Sequence, residues 1–397
     1  MPDAPTTAAR FRSVVGGEPS GVWGAPGRVN LIGEHTDYNG GLALPIALPQ
    51  RTRAAVRLRD DGLLRVSSDR PGQPLPGVDT LEVVEVRVDD ISPERPGGWA
   101  SYVAGVAWAL GQAGHPLPGA DVHLTSDVPL GSGLSSSAAL ECCVAAAASD
   151  LLGLGLLADD AGRATLASWC QRAENDIALA PTGGMDQAAS LRSVVAHATL
   201  LDCRTGEVTP VPFDLAAHGL SLVVVDTRAE HALVDGQYAD RRATCEAAAS
   251  TLGVETLREV DPSTLDDALG RLADGVARAR VRHVVREIER VHQCVAALRA
   301  DDFAAVGELF LASHASLRDD YEVSCVELDL VVETAVAAGA LGARMTGGGF
   351  GGSAIALVRA DAAEAVEAAV TAAFVARDLR EPDCFTVTAG PPAGRES

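Results

Sequence analysis

At 397 residues, 47% hydrophobic and 22% charged, the chain has the composition of a soluble globular protein with enough length for two cores. A net charge of −22 with no dense basic stretch argues against a nucleic-acid binder. No apolar run reaches the ~18 residues of a membrane span, and Met1 to Arg10 lacks the apolar centre of a targeting segment. All 32 basic residues are arginine, which excludes a lysine-dependent phosphate loop and Schiff-base chemistry.

Eight cysteines are scattered without a Cys-x-x-Cys pair, and the adjacent Cys142 and Cys143 suit neither a zinc knuckle nor an ordinary disulfide. They read as reduced, mostly buried thiols of a cytoplasmic protein.

In chain order, the first informative stretch is Gly27-Arg28-Val29-Asn30-Leu31-Ile32-Gly33-Glu34-His35-Thr36-Asp37-Tyr38-Asn39-Gly40-Gly41. Asn39-Gly40 signals a tight turn into the apolar run Leu42 to Leu48, which places Arg28, Glu34, His35 and Asp37 on loops between buried strands. Glu34, Asp37 and His35 form a cluster able to read the paired hydroxyls of a polyol; the alternative is a turn with solvated charges. Thr52 to Leu58 and Leu81 to Val88 read as strands, with Pro71 to Pro76 a loop between them. Trp99, Tyr102, Val103, Val106 and Leu110 recur at helical spacing, and the aromatic pair reads as core.

Val122 to Val128 is a strand feeding Pro129-Leu130-Gly131-Ser132-Gly133-Leu134-Ser135-Ser136-Ser137-Ala138-Ala139-Leu140, and an alanine-rich helix follows. A strand, a Gly/Ser loop and a helix start offer unpaired N–H groups and a positive dipole end to phosphate without a cation. The serine hydroxyls can cap the helix or reach a metal. Ala164 to Ala178 is a helix carrying Glu174, ended by Pro181. Gly183-Gly184-Met185-Asp186-Gln187 then presents Asp186 from a glycine-rich bend, as an active-site carboxylate, a helix cap, or both.

Further strands are expected at Leu220 to Val225, Ser353 to Val358 and Cys384 to Thr388. Helices are expected at Asp235 to Ala249, Arg278 to Arg299, Asp302 to Ser316, Glu327 to Ala338 and Ala360 to Ala376. Arg282 to Arg290, interrupted by Glu287 and Glu289, reads as a solvated helix face. Gly342-Ala343-Arg344-Met345-Thr346-Gly347-Gly348-Gly349-Phe350-Gly351-Gly352 is a second glycine-rich loop, and Ala389 to Ser397 reads as a disordered tail.

Three motifs in this order, Gly27 to Gly41, Pro129 to Leu140 and Gly342 to Gly352, resemble the GHMP small-molecule kinases. The first resembles the galactokinase signature in particular, as do Gly183 to Gln187, Asp202-Cys203-Arg204 and Leu317 to Cys325. The resemblance implies an α+β GHMP fold of two-layer domains, with a ribosomal-S5-domain-2-like half over 1–200, a ferredoxin-like half over 201–397, and the active site in the cleft between them. It implies transfer of the ATP γ-phosphoryl group to the anomeric hydroxyl of galactose. Arg28 and Asp186 would then be catalytic, and Glu34, His35, Asp37, Gly184 and Tyr238 would bind the sugar. Gly131, Ser132, Gly133, Leu134, Ser135, Ser136, Ser137, Gly347 and Gly348 would hold ATP, and Ser136 and Glu174 would hold Mg²⁺, with Ser135 and Ser137 the other candidate hydroxyls. Asp186 either abstracts the sugar proton or orients the hydroxyl and accepts the proton late. A kinase for N-acetylgalactosamine or arabinose, and a non-catalytic galactose and ATP sensor, are the alternatives. No nucleic acid, membrane or obligate protein partner is expected.

Overall fold

The computed structural model describes residues 2–69, 83–180, 182–229 and 234–397, apart from the side chains of 234 and 235. The loop expected at Pro71 to Pro76, the first residues of the strand expected from Leu81, and Pro181 lie outside the described residues.

A six-stranded sheet runs in the order Gly394–Arg395, Gly21–Asn30, Pro45–Leu58, Ala120–Ser126, Leu63–Ser68, Val83–Arg87. All its pairs are antiparallel except Leu63–Ser68 with Ala120–Ser126. Helices Ala100–Gln112, Ser136–Leu151 and Asp160–Asp176 pack around one core built on Trp23, Val122, Leu124 and the Cys142 to Ala148 run. The alanines in that run let the helix lie close to the strands.

A second, four-stranded antiparallel sheet has the order Gly342–Thr346, Ser353–Arg359, Leu220–Asp226, Asp383–Val387. Its apolar centre, Val223 to Val225 and Ala354 to Val358, is continuous with Leu31, Ile32, Leu42, Leu44 and Ile46 from the first motif. That motif is therefore packed into the core formed by helices Gly275–Arg299, Phe303–Asp319 and Val326–Ala337. A three-stranded sheet joins Leu42–Ala43, His197–Asp202 and Glu207–Pro212; the two longer strands were not anticipated from sequence.

Several expectations need correction. Arg28 lies within strand Gly21–Asn30, just past an irregularity between Pro26 and Arg28, and not on a loop. Helix Ala4–Val14, for which no element was expected, is capped by Asp3, whose side chain accepts from the Thr6 N–H. Gly342–Thr346 is a buried strand, and only the glycines after it form the loop. The tail is not disordered: Gly394–Arg395 pairs with Trp23 and Gly24, and Ala393 is buried. Glu396 bridges Arg51 and Arg53, and Arg51 also donates to the carbonyls of Pro391 and Pro392. Helix Gly275–Arg299 exposes Arg282 and Arg286 as expected and half-buries Glu289, but buries Arg280, His283 and Glu287.

Candidate active site

A cleft of about 690 Å³ opens where the three motifs meet. Its wall contains Arg28, Glu34, His35, Asp37, Gly131, Gly133, Leu134, Ser135, Ser136, Ser137, Glu174, Asp186, Tyr238, Gly347 and Gly348. Two anticipated residues, Ser132 and Gly184, do not line it. The Ser132 hydroxyl turns back to the Pro129 carbonyl at 2.9 Å, and Gly184 is the residue preceding helix Met185–Arg192, with φ +85°.

Helix Ser136–Leu151 begins at this wall. Ser135 occupies its cap position in the left-handed region, φ +60°, and its hydroxyl does not cap the helix. Instead it donates to Asp186 Oδ2 at 2.6 Å. The capping alternative for the serine loop is thus not used by Ser135, and the start of the helix, the positive end of its dipole, lines the cleft through Ser135, Ser136 and Ser137. The loop is braced by the second glycine motif. A Cβ on Gly347, φ +84°, would stand 2.9 Å from the Gly133 carbonyl oxygen, so only glycine permits this backbone approach.

Arg28 crosses beneath the loop. Its Nε and Nη2 donate to Asp186 Oδ1 at 2.8 and 2.7 Å, and its Nη1 donates to the Gly133 carbonyl at 2.5 Å. Asp186 sits in the first turn of helix Met185–Arg192, where a carboxylate is favoured by the dipole. One residue on, Gln187 is fully buried and its Nε2 donates to both Glu174 Oε2 (2.5 Å) and Glu141 Oε2 (3.1 Å). Burial, then the neighbouring Asp186, pushes the Glu174 carboxyl up to about 7, against a hydrogen bond from Ser137.

At the other end stand the sugar-cluster candidates. Glu34 is almost fully buried; Oε1 accepts from the Gly347 N–H at 2.6 Å and Thr346 Oγ1 at 3.2 Å, and Oε2 accepts from Asn30 Nδ2. Burial raises its carboxyl to about 7, opposed by Arg344 and Arg28. His35 Nε2 lies 3.1 Å from the Gly348 carbonyl and Nδ1 2.9 Å from Tyr38 Oη. A carbonyl only accepts, so Nε2 carries the proton. Burial and His283 hold the ring neutral, with a pKa lowered to about 3. Asp37 is raised to about 6 by burial and by Asp186, and the Tyr238 ring lies 5.4 Å from His35 in a tilted contact and 5.4 Å from Tyr38 edge-to-face.

Sequence reasoning missed Tyr102, read as core, and Leu179; both line the cleft. Tyr102 lies on the same helical stripe as buried neighbours, so periodicity carries no signal for it, whereas Leu179, 63% exposed beside the cleft, falls where no pattern exists.

Among the described residues no group of three His, Cys, Asp or Glu side chains could hold an ion. Mg²⁺ does not require one: it commonly takes one or two protein oxygens together with substrate phosphates and water. Glu174 is a buried carboxylate whose charge is costly without a cation nearby, and the serine loop faces the same cleft. The residues fit the ion.

Residues 9–58 match the galactokinase galactose-binding signature, 101–193 the GHMP kinases N terminal domain, and 294–376 the GHMP kinases C terminal model. The fold superposes on the L. major mevalonate kinase solved with R-mevalonate at a TM-score of 0.62 and 20% identity, over 94% of this chain and 99% of that one. The class is therefore that of the GHMP kinases, for which ATP is the co-substrate. A galactokinase of Streptomyces coelicolor is 54% identical over 96% of both chains, and the human galactokinase is 44% identical over 89% of this chain and 87% of its own. The Lactococcus lactis galactokinase, solved with galactose, superposes at a TM-score of 0.88 with 34% identity over 98% of both chains. The chain belongs to the galactokinase family of ATP-dependent sugar kinases. No described helix is long and apolar enough to cross a membrane.

Proposed function

We propose that the chain transfers the γ-phosphoryl group of ATP to the C1 hydroxyl of D-galactose, giving galactose 1-phosphate and ADP. The observation that carries this reading is the Ser135–Asp186–Arg28 chain, which stands between a helix start suited to phosphate and a cluster of hydroxyl-reading carboxylates. Its residue assignments follow the family pattern and this geometry together. Glu34, His35, Asp37 and Tyr238 hold the sugar, with Asp37 as the acceptor for vicinal hydroxyls. The sugar hydroxyl approaches Asp186, which accepts its hydrogen bond and takes the proton as the phosphoryl group leaves ATP. Charge then spreads over the phosphoryl oxygens, and Arg28 and the N–H groups at the start of helix Ser136–Leu151 are placed to stabilise it. Arg28 also keeps Asp186 fixed on one oxygen.

Mg²⁺ fits Glu174 and Ser136. Ser135 is committed to Asp186 and Ser137 to Glu174, which leaves Ser136 as the hydroxyl assigned to the ion. When bound it would neutralise phosphate charge. The substrates are small molecules, and the eight free thiols suit a reducing compartment, which we take to be the cytoplasm.

The test is ADP release with MgATP and a panel of galactose, glucose, N-acetylgalactosamine, arabinose and mevalonate. Turnover led by galactose is expected. Turnover led by another sugar would overturn the substrate, and binding of galactose and ATP without turnover would replace catalysis with sensing.

A further inference from the structure

Strand pairing between Gly21–Asn30 and Pro45–Leu58 ends at Asn30 opposite Pro45. The segment that follows, Leu31 to Glu34, is buried, yet it leads directly into His35 and Asp37. Buried backbone polar groups require partners. Locally, Leu44 pairs with the Leu31 N–H and the Ile32 carbonyl, and Thr36 Oγ1 donates to the Gly33 carbonyl; three further groups are met by side chains from about 250 to 310 residues further along the chain. Arg344 Nη1 donates to the Leu31 carbonyl at 2.7 Å. Glu287 Oε1 accepts from the Gly33 N–H at 3.0 Å. His283 Nε2 donates to the Glu34 carbonyl at 3.1 Å.

The three are themselves fixed. His283 and Glu287 are four residues apart on helix Gly275–Arg299, hence on one face. His283 must be protonated on Nε2 to donate to a carbonyl, so Nδ1 of the neutral ring accepts from Ser316 Oγ at 2.9 Å. Glu287 Oε1 also accepts from Ser313 Oγ at 2.6 Å, and Oε2 from Arg290 Nε at 2.7 Å. Burial alone would raise this carboxyl; Arg290 and Arg344 outweigh it and hold it at about 2, so the acceptor stays charged. The Arg344 guanidinium lies between two carboxylates, with Nη2 3.7 Å from Glu34 and 4.0 Å from Glu287.

We infer that His283, Glu287 and Arg344 are positioning residues for sugar recognition: they clamp the backbone from Leu31 to Glu34 so that Glu34, His35 and Asp37 enter the cleft already oriented. None of the three lines the cleft, so they act through the loop. The inference rests on the proposed sugar site. Satisfying buried backbone is the competing explanation, and it predicts lost stability with no preference between the two substrates.

The experiment compares His283→Leu with His283→Gln, whose amide retains a donor, by steady-state kinetics in both substrates and by thermal unfolding. Ser316→Ala, which releases the proton position on His283, is measured alongside as the milder change. The sugar is whichever one the unaltered protein turns over best, so failure of the galactose assignment leaves the clamp testable. For His283→Leu the sugar KM is expected to rise at least ~10-fold, the effect of losing one well-placed hydrogen bond, while the MgATP KM stays within about twofold. His283→Gln should recover most of the loss, and Ser316→Ala should move the sugar KM in the same direction by a smaller factor. Unmoved sugar KM in the folded variants, equal movement of both KM values, or no recovery with glutamine would overturn the clamp. Should His283→Leu not fold, the Ser316→Ala split between the two KM values decides by the same criteria.

Discussion

Replacing Asp186 by Asn separates the chemical role of this carboxylate from its structural one. In the protein, Oδ1 takes two bonds from Arg28 and Oδ2 takes one from Ser135. An asparagine can keep its oxygen toward Arg28 and turn its NH₂ to the Ser135 oxygen, which is able to accept. The geometry therefore survives while the charge and the proton acceptor are lost. Breaking a fully buried ion pair costs about 3–5 kcal/mol. Arg28 is only 7% exposed, but Asp186 is 20% exposed at an open cleft and Arg28 retains the Gly133 carbonyl. Because Arg28 keeps the Gly133 carbonyl and the asparagine oxygen as acceptors, the cost should accordingly fall to ~1–3 kcal/mol, the range for one buried polar group left short of a partner, which lowers the Tm by only several degrees in a chain of this size.

Activity should respond very differently. A positioned proton acceptor contributes ~10²–10⁴-fold, so kcat for ADP release should fall at least ~10²-fold in a protein with unchanged circular dichroism. Near-normal turnover by folded Asp186→Asn would remove Asp186 from the chemistry. Loss of activity together with collapse of the secondary structure would make its role structural, contrary to the argument above.

Other substitutions probe the remaining contacts. A Cβ on Gly183 would stand 2.3 Å from Asp37 Oδ2, so Gly183→Ala should displace that carboxylate and raise the galactose KM at least ~10-fold, about one charged hydrogen bond; an unchanged KM would disconnect Asp37 from the sugar. The Asp37 carboxyl is raised to about 6, so lowering the pH through 6 protonates it and removes an acceptor. The galactose KM should climb as pH falls from 7 to 5, and Asp37→Asn should lose the part of that climb centred near 6 while keeping the part due to Glu34, whose carboxyl is raised to about 7; an identical pH profile in the variant would refute the assignment. Glu174→Gln should shift the Mg²⁺ titration of activity to higher concentration, and an unshifted titration would count against Glu174 as a ligand. Deleting residues 389–397 leaves Arg51 with the Gly24 carbonyl as its remaining side-chain acceptor and exposes the surface under Ala393; a Tm drop of at least ~5 °C is expected for the loss of a few kcal/mol, and an unaltered melting curve would show that the tail does not hold.

The sequence disclosed those parts of the site whose chemistry is local. Gly131, Gly133 and the serines before an alanine run announce a phosphate-facing helix start because loop geometry and helix propensity are properties of adjacent residues. Asp186 after two glycines was legible for the same reason. What stayed hidden depends on partners distant in sequence. Arg282 to Arg290 reads as solvated because neighbouring charges normally face water; Glu287 is buried only because Arg290, Ser313 and the Gly33 N–H converge on it. The tail carries no hydrophobic period, and its order comes from Arg51 and Arg53, more than three hundred residues earlier.

The same distinction explains the uneven reading of the motifs themselves. Glu34 was legible as a site carboxylate, but its contacts with Thr346 and the Gly347 N–H tie the first motif to the third. One carboxylate thus serves two loops: moving Gly347, which packs on the phosphate loop at Gly133, must strain the sugar end as well. That tie runs through the Glu34 side chain, whereas His283 holds the Glu34 backbone carbonyl, so displacement of Gly347 reaches the sugar end while loosening the backbone clamp acts on the sugar end first. No residue spacing within a single motif could have shown that link, because it exists only where the two loops touch.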